Sequence, residues 1–242
     1  MKCFSLLLKW TLGVCLFGLS ISAHLTEADP TDDFSMSLGY PSNRVYRLIS
    51  EETVGQVFSD RLDLFPKSQA KPLAKHLIAL CDKYRFDPAF ILSLIDVESR
   101  FQVGVVSYAG AVGLMQLMVP TASFVVRELG VFDTGYGSFK GWKPSTPISS
   151  QAMSRLLREP FANTAIGMAY LAFLRDTYEG LPPYYVLAAY NLGPARLDEL
   201  LERKTFRPTE TKKYFLSIIG RIHDFRFYKN SPKPRIQRRR RV

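Results

Sequence analysis

A carboxyl group stands at the end of a row of aliphatic side chains. Ile91, Leu94, Ile95 and Glu98 are spaced at i, i+3, i+4 and i+7, which places all four on one face if the segment is helical. A carboxylate beside apolar surface is poorly solvated, so its pKa rises. A carboxylic acid that stays protonated near neutral pH can act as a general acid. The spacing alone leaves a second interpretation open, a solvated glutamate that pairs with Arg100.

The helix that would carry this acid has a recognisable beginning. Asp87 is a favourable N-cap residue, and Pro88 suits the first helical position because it has no N–H group to leave unpaired. The sequence then predicts a loop over residues 101–112, followed by the segment 113–118, Gly-Leu-Met-Gln-Leu-Met. Glycine would let this backbone approach a ligand, and Gln116 would offer both a donor and an acceptor. A packed turn in which methionine fills space is the alternative.

Helical periodicity continues through most of the chain from Pro72 onward. No segment shows a convincing alternation of apolar and polar residues, so we predict an all-α domain. Residues 131–150 lack a helical period and indicate a long loop. Besides the helix that begins at Pro88, the predicted helices cover residues 72–84, 120–130, 163–179, 183–191, 194–203 and 210–225.

Both ends of the chain differ from this helical block. Residues 1–23 place lysines before an apolar run that ends in small residues, which is typical of a secretory signal peptide. The run is short for a membrane span, and an uncleaved anchor or lipidation at Cys15 stays open. Residues 24–70 indicate a linker or poorly ordered segment with one short helix near 43–57. Residues 229–242 form a basic tail that we expect to be disordered.

Composition and charge narrow the functional classes. The chain has 242 residues, of which 47% are hydrophobic, and this excludes wholesale disorder. The formal charge is +10, and removal of Lys2 and Lys9 with the leader would leave +8. No base-recognition motif accompanies this charge, so an anionic envelope polymer or membrane surface is the expected partner rather than nucleic acid.

The cysteine and histidine content predicts neither a disulfide nor a metal site. Cys81 is the one cysteine outside the leader and its Cys3 and Cys15, so an internal disulfide has no second partner. The three histidines are far apart in sequence, and no Cys/His cluster has metal-ligand spacing. Gly-rich phosphate loops and nucleophile elbows are also missing from the sequence, so we expect no cofactor.

Five short motifs follow one another along the helical part of the chain. Each is weak alone, but their order is specific. They are Glu98-Ser99 with Ser107; Gly113-Leu114-Met115-Gln116; Asn163 with Gly167 and Tyr170-Leu171; Ala189-Tyr190-Asn191 with Gly193-Pro194; and Glu210-Thr211 with Tyr214.

In this order the motifs resemble those of the soluble lytic transglycosylase (SLT) domain. The resemblance covers roughly residues 72–225 and implies a catalytic domain at 71–228 with a goose-type lysozyme-like helical fold that cleaves peptidoglycan. It implies that Glu98 is the catalytic acid and base, and that Tyr214 lies near it. The 131–150 segment departs from the family pattern and leaves the shape of one groove wall open. The residues implied to line the sugar groove are Ser107, Gln116, Met118, Tyr190 and Asn191.

The resemblance also implies a mechanism and a location. Glu98 would protonate the oxygen between MurNAc and GlcNAc and would then take a proton from the C6 hydroxyl, which closes a 1,6-anhydro ring. Asp96 is predicted to point to a different helix face, so one acid would act alone. Hydrolysis by the same acid and a non-catalytic glycan-binding or assembly role are the alternatives. We expect a protein of the periplasm or cell envelope that acts on glycan strands, and docking to an envelope-spanning secretion or conjugation assembly is a further hypothesis.

Overall fold

The regular structure is almost entirely helical. A computed structural model describes residues 38, 49–131 and 148–228, and within these ranges it contains no β-strand, only three isolated bridges. The prediction of an all-α fold is confirmed. In chain order the helices are α1 (Glu51–Arg61), α2 (Ala70–Tyr84), α3 (Pro88–Ser99), α4 (Val119–Glu128), α5 (Ser150–Leu156), α6 (Pro160–Thr177), α7 (Tyr184–Leu192), α8 (Pro194–Glu202) and α9 (Pro208–Arg226).

Helix α3 carries Glu98 and forms the centre of the core. The Asp87 side chain accepts a hydrogen bond from the Ala89 amide at 2.8 Å, and Pro88 occupies the first helical position, as the sequence predicted. Residues 89–95 are all 0% exposed, so α3 is buried on every side and not only along one stripe. Each large apolar side chain buried in this way contributes about 1.5–3 kcal/mol. Helix α3 packs against α9 and α2.

Helix α1 adds a face to this core. The sequence indicated one short helix near residues 43–57, and the observed helix begins later, at Glu51, while residues 43–48 lie outside the described part. Ser50 caps it by accepting a hydrogen bond from the Thr53 amide at 3.1 Å. Val57 and Phe58 are buried, and α1 packs against α2. This part of the expected linker therefore belongs to the folded unit.

Helix α5 was not predicted. Its N-cap residue, Ser149, accepts a hydrogen bond from the Ala152 amide at 3.2 Å, and Met153 is buried. Only seven residues long, the helix offers too short a run for periodicity to indicate it. Most of the predicted 131–150 loop, residues 132–147, lies outside the described residues, as do the expected signal peptide and the basic tail.

None of the helices in the described ranges combines the length and apolar character that crossing a bilayer requires.

Candidate active site

Helix α3 ends abruptly beside its acid. Arg100 (φ 53°) and Phe101 (φ 62°) are consecutive residues in the left-handed region, which is strained for side chains with a Cβ. The Arg100 amide donates to the Asp96 carbonyl at 3.1 Å and closes the last turn. Phe101 is fully buried and forms an edge contact with Phe58 of α1, which anchors the turn. The helix thus ends one residue after Glu98, at Ser99.

The carboxyl group of Glu98 is largely buried and hydrogen-bonded. Tyr214, from α9, donates its hydroxyl hydrogen to Oε1 of Glu98. Burial raises the pKa of Glu98 to about 7, and the hydrogen bond from Tyr214 opposes this shift. The side chain is therefore partly protonated at neutral pH and can either donate or accept a proton. The buried acid, rather than a solvated glutamate, is the arrangement that the structure contains.

Tyr190, from α7, lies close to the same carboxyl group. Burial raises the pKa of Tyr190 well above its usual value, and the negative charge of Glu98 raises it further. Its hydroxyl donates to the Met115 carbonyl at 2.8 Å, and its ring lies 5.7 Å from that of Tyr170. The structure thus brings Glu98, Tyr190 and Tyr214 together and connects them to the Gly-Leu-Met-Gln segment.

That segment is held to α6 by one asparagine. The buried Asn163 side chain accepts from the Met115 amide at 2.7 Å and donates to the carbonyls of Val112 and Leu157, both at 2.9 Å. Gly113 has φ +80°, and a Cβ there would stand 2.3 Å from both the Asn163 amide nitrogen and the Leu157 carbonyl. Glycine is required at this position because the loop backbone lies directly against α6.

Met115 fits against a second glycine. A Cβ on Gly167 of α6 would stand 2.5 Å from the Met115 sulfur, so the missing side chain creates the space that Met115 fills. Met115 is 0% exposed. Met115 therefore packs as a space-filling methionine, which was the alternative interpretation of this segment, and its packing fixes the position of the neighbouring Gln116.

The Gln116 side chain stabilises its own loop by hydrogen bonds to backbone carbonyls. Its side-chain amide donates to the Gly113 carbonyl at 2.9 Å and to the Val105 carbonyl at 3.4 Å, and its backbone is left-handed with φ 47°. Both bonds use the NH2 group of the side chain, which leaves the side-chain oxygen able to accept a hydrogen bond from a ligand. Gln116 therefore has a structural function in addition to any contact with a ligand.

Three other predicted site residues have surroundings of their own. Ser107 closes a tight turn, in which its hydroxyl accepts from the Ala111 amide at 3.0 Å. Met118 stands at the N-cap position of α4 and is 42% exposed, and Asn191 is exposed near the end of α7. Among the residues that the structure describes, none of the three forms a hydrogen bond to Glu98.

The other acid of α3, Asp96, is fully engaged elsewhere. Its Oδ1 contacts Arg61 Nη2 at 2.5 Å, and its Oδ2 contacts Arg221 Nε at 2.8 Å. The prediction that Asp96 lies on a different face from Glu98 agrees with these contacts. Its pairing with Arg61 and Arg221 was not predicted, because both arginines are distant from Asp96 along the chain. Asn163 could have been identified from its position inside an otherwise apolar helix, since a buried amide needs partners.

Within residues 49–131 and 148–228, no group of three or more histidine, cysteine or acidic side chains is placed to hold a metal ion.

Comparison with known proteins identifies the family. The sequence model of the transglycosylase SLT domain matches residues 76–213, which is more than half of the 242-residue chain. The chain belongs to the SLT domain family, and the part of it that the structure describes is all-α.

Individual relatives agree with this assignment. The chain is 33% identical over 120 residues to membrane-bound lytic murein transglycosylase C of Actinobacillus pleuropneumoniae serotype 5b (strain L20), covering 47% of this chain and 28% of that protein. It is 32% identical over 177 residues to the protein of the same name from Histophilus somni (strain 2336), covering 62% and 44%. The chain thus spans less than half the length of these curated relatives.

Among solved structures, the 70 kDa soluble lytic transglycosylase SLT70 from Escherichia coli aligns with a TM-score of 0.47 and 22% identity. The alignment covers 76% of this chain and 31% of that one.

Proposed function

We propose that this chain is a peptidoglycan lytic transglycosylase. It cleaves the β-1,4 bond between MurNAc and GlcNAc and leaves a 1,6-anhydro ring on MurNAc, with Glu98 as both acid and base. The observation that supports this most directly is the buried carboxyl group of Glu98, whose pKa is raised to about 7 and which accepts a hydrogen bond from Tyr214, in a domain of the SLT family.

The state of the second acid on α3 favours a one-acid mechanism. A glycosidase with two carboxylates needs the second as nucleophile or base, across the scissile bond from the first. Asp96 is occupied by Arg61 and Arg221 and cannot serve in that way without leaving both cations. One acid suffices when the substrate supplies its own nucleophile.

The proposed reaction needs one proton, which Glu98 donates in the first step and takes back in the second. Protonated Glu98 gives its proton to the bridging oxygen while the bond from C1 of MurNAc to that oxygen breaks, and GlcNAc leaves with a free hydroxyl. The MurNAc N-acetyl group stabilises the cationic centre at C1. The ionised Glu98 then removes the proton of the C6 hydroxyl as its oxygen bonds to C1. The ring closes without adding water.

The remaining predicted residues are proposed to hold the sugar. Tyr190 and Asn191 at the end of α7, with Ser107 from the loop after α3, would bind the N-acetyl group. The Ser107 hydroxyl accepts from the Ala111 amide and keeps its own hydrogen to donate. Gln116 and the exposed side chain of Met118 would line the groove beside them.

Replacement of the acid tests the proposal. Glu98→Gln keeps the shape of the side chain but cannot exchange a proton, so we expect folded protein that releases no anhydro-muropeptides from purified peptidoglycan. Glu128→Gln is the matched control, because Glu128 is a half-exposed glutamate on α4 in an ion pair with Arg127, and it keeps full activity. Mass spectrometry of the soluble products is the measurement. Wild-type levels of anhydro product from Glu98→Gln would contradict the assignment.

The same measurement separates the alternatives. Hydrolysis would give products heavier by one water, and a glycan-binding protein without activity would release none while still sedimenting with peptidoglycan. Since the first two relatives are described as membrane-bound, we propose that this chain also works in the cell envelope.

A further inference from the structure

Polar contacts join α3 and α9 at three levels. Residue numbers rise along α9 as they fall along α3, so the two helices run antiparallel and the contacts lie along their interface like rungs. The rungs are Tyr214 to Glu98, Arg221 Nε to Asp96 Oδ2 at 2.8 Å, and Arg226 Nη2 to Asp87 Oδ2 at 2.8 Å.

The Asp96 rung also binds a third helix. Its other oxygen contacts Arg61 Nη2 of α1 at 2.5 Å, and the Asp96 side chain is only 14% exposed. Two guanidinium groups on one largely buried carboxylate offset the cost of taking it out of water. Arg221 is itself fixed, since its Nη1 donates to the Ser217 carbonyl at 2.5 Å. Three helices therefore meet at a charged point two residues from Glu98.

We propose that Asp96 and Arg221 are positioning residues, whose ion pair sets the register of α9 on α3 so that the Tyr214 hydroxyl stays on the Glu98 carboxyl. This inference rests on the proposed role of Glu98 as the acid. A hydroxyl–carboxylate hydrogen bond is lost within about 1 Å of extra separation, so the register of the two helices has to be held closely. Neither Arg61 nor Arg221 lies within residues 76–213, the segment that matches the family model.

The acidity of Glu98 reports on this register. The groups that face it are Tyr214 from α9 and Tyr190 from α7, and the hydrogen bond from Tyr214 lowers the pKa of Glu98. If α9 slides, this bond is lost and the pKa of Glu98 rises. In Asp96→Asn the change of charge by itself would have the opposite effect on the pKa of Glu98. Arg61 and Arg221 would lose their counter-charge, and their positive charge would favour the ionised form of Glu98 and lower its pKa.

The first experiment is therefore a carboxyl titration by NMR of the full chain labelled at glutamate. We expect the pKa of Glu98 to rise in Asp96→Asn, in the same direction as in Tyr214→Phe. A fall, or no change, in Asp96→Asn would overturn the proposal. This readout needs no substrate, so it stands even if the chain releases no anhydro products, and the failure of the proposed function can be told apart from a failure of the positioning role.

A second pair of variants covers the case in which Asp96→Asn does not fold. Arg221→Met removes the ion pair, and Arg221→Lys keeps the charge. We expect Arg221→Met to lower kcat about tenfold with little change in KM, since small misplacements of catalytic groups are costly, and Arg221→Lys to recover most of the loss. Lys213→Met, an exposed position on the same helix, is the matched control and stays at the wild-type rate.

A double-mutant cycle decides whether Arg221 acts through Tyr214. If it does, Arg221→Met adds nothing to the loss of kcat already caused by Tyr214→Phe. Losses that multiply in the double variant would show that Arg221 supports activity by another route and would contradict the proposal.

Discussion

Two carboxylates on one helix have opposite surroundings. Asp96 lies between two arginines, whereas Glu98, two residues later, has a tyrosine hydroxyl and apolar burial. Two guanidinium groups face the carboxylate of Asp96, whereas burial makes Glu98 reluctant to ionise. The chemical difference between them therefore arises from the helices packed against each face and not from the residue type.

A raised pKa in a folded protein has a cost in stability at high pH. The folded chain binds the Glu98 proton more tightly than the unfolded chain, so this residue lowers the free energy of unfolding as the pH rises from 4.5 to about 7. Glu98→Gln removes this pH-dependent contribution to the free energy of unfolding. We expect the variant to be more stable than wild type by about 3 kcal/mol at pH 8 and equal to it at pH 4, measured by urea unfolding.

Glu128→Gln serves as the control for this prediction as well. Its side chain is half exposed, so its difference from wild type should stay small at both pH values. A Glu98→Gln variant whose stability relative to wild type did not depend on pH would show that Glu98 titrates normally in the folded protein.

At the scale of elements, α6 acts as the platform for the Gly-Leu-Met-Gln segment. Asn163 supplies the hydrogen bonds, and Gly167 supplies the space for Met115. The Met115 carbonyl in turn receives the Tyr190 hydroxyl, so α6, the loop and α7 are linked by consecutive contacts. A substitution that breaks these contacts is therefore expected to shift Tyr190 and, through Tyr190, to alter the surroundings of Glu98.

Asn163→Ala tests that expectation. It removes the side-chain partner of the Met115 amide and of the Leu157 carbonyl, and one of the two donors to the Val112 carbonyl, which we expect to cost about 3 kcal/mol of stability and to reduce activity. Thr164→Val is the neighbouring control, because the buried Thr164 hydroxyl bonds only to carbonyls one turn earlier, at Pro160 and Phe161. Thermal unfolding and product release give the two measurements. Equal effects of both variants would argue against a platform role.

The elements that the sequence predicted well are those whose signals are local. The Asp87–Pro88 cap and the apolar runs of α3 and α6 depend on neighbours within one or two helical turns. The capping signal of Ser149 is equally local, but the seven-residue helix that follows it is too short to show a period. The Arg61–Asp96–Arg221 contact joins residues 35 and 125 positions apart, and only the packing of three helices brings them together.

At the scale of the whole molecule, the folded unit is larger than the segment that matches the family. Helix α1 precedes residue 76 and most of α9 follows residue 213, yet α1 contacts α3 through the Arg61–Asp96 ion pair and α9 packs directly against α3. Phe58 of α1 is 1% exposed and contacts Phe101, the residue at which the chain leaves α3. The amino-terminal segment therefore supports the turn beside Glu98.

Phe58→Ala measures this support. Removing a fully buried phenylalanine is expected to lower the free energy of unfolding by about 3–5 kcal/mol. Leu64→Ala, at a fully exposed position six residues later, should change it by less than about 0.5 kcal/mol. Denaturant titration of both variants at one pH is sufficient. A Phe58→Ala variant as stable as wild type would show that α1 is dispensable for the fold.

Apolar burial and the hydrogen bond from Tyr214, rather than a neighbouring charge, set the acidity of Glu98. Dissolved ions screen charges and act on neither of these, so they have little effect on this carboxyl group. Its readiness to give up a proton will therefore be nearly the same in dilute and in concentrated electrolyte, even though the association of this basic chain with an anionic polymer weakens as the ionic strength rises.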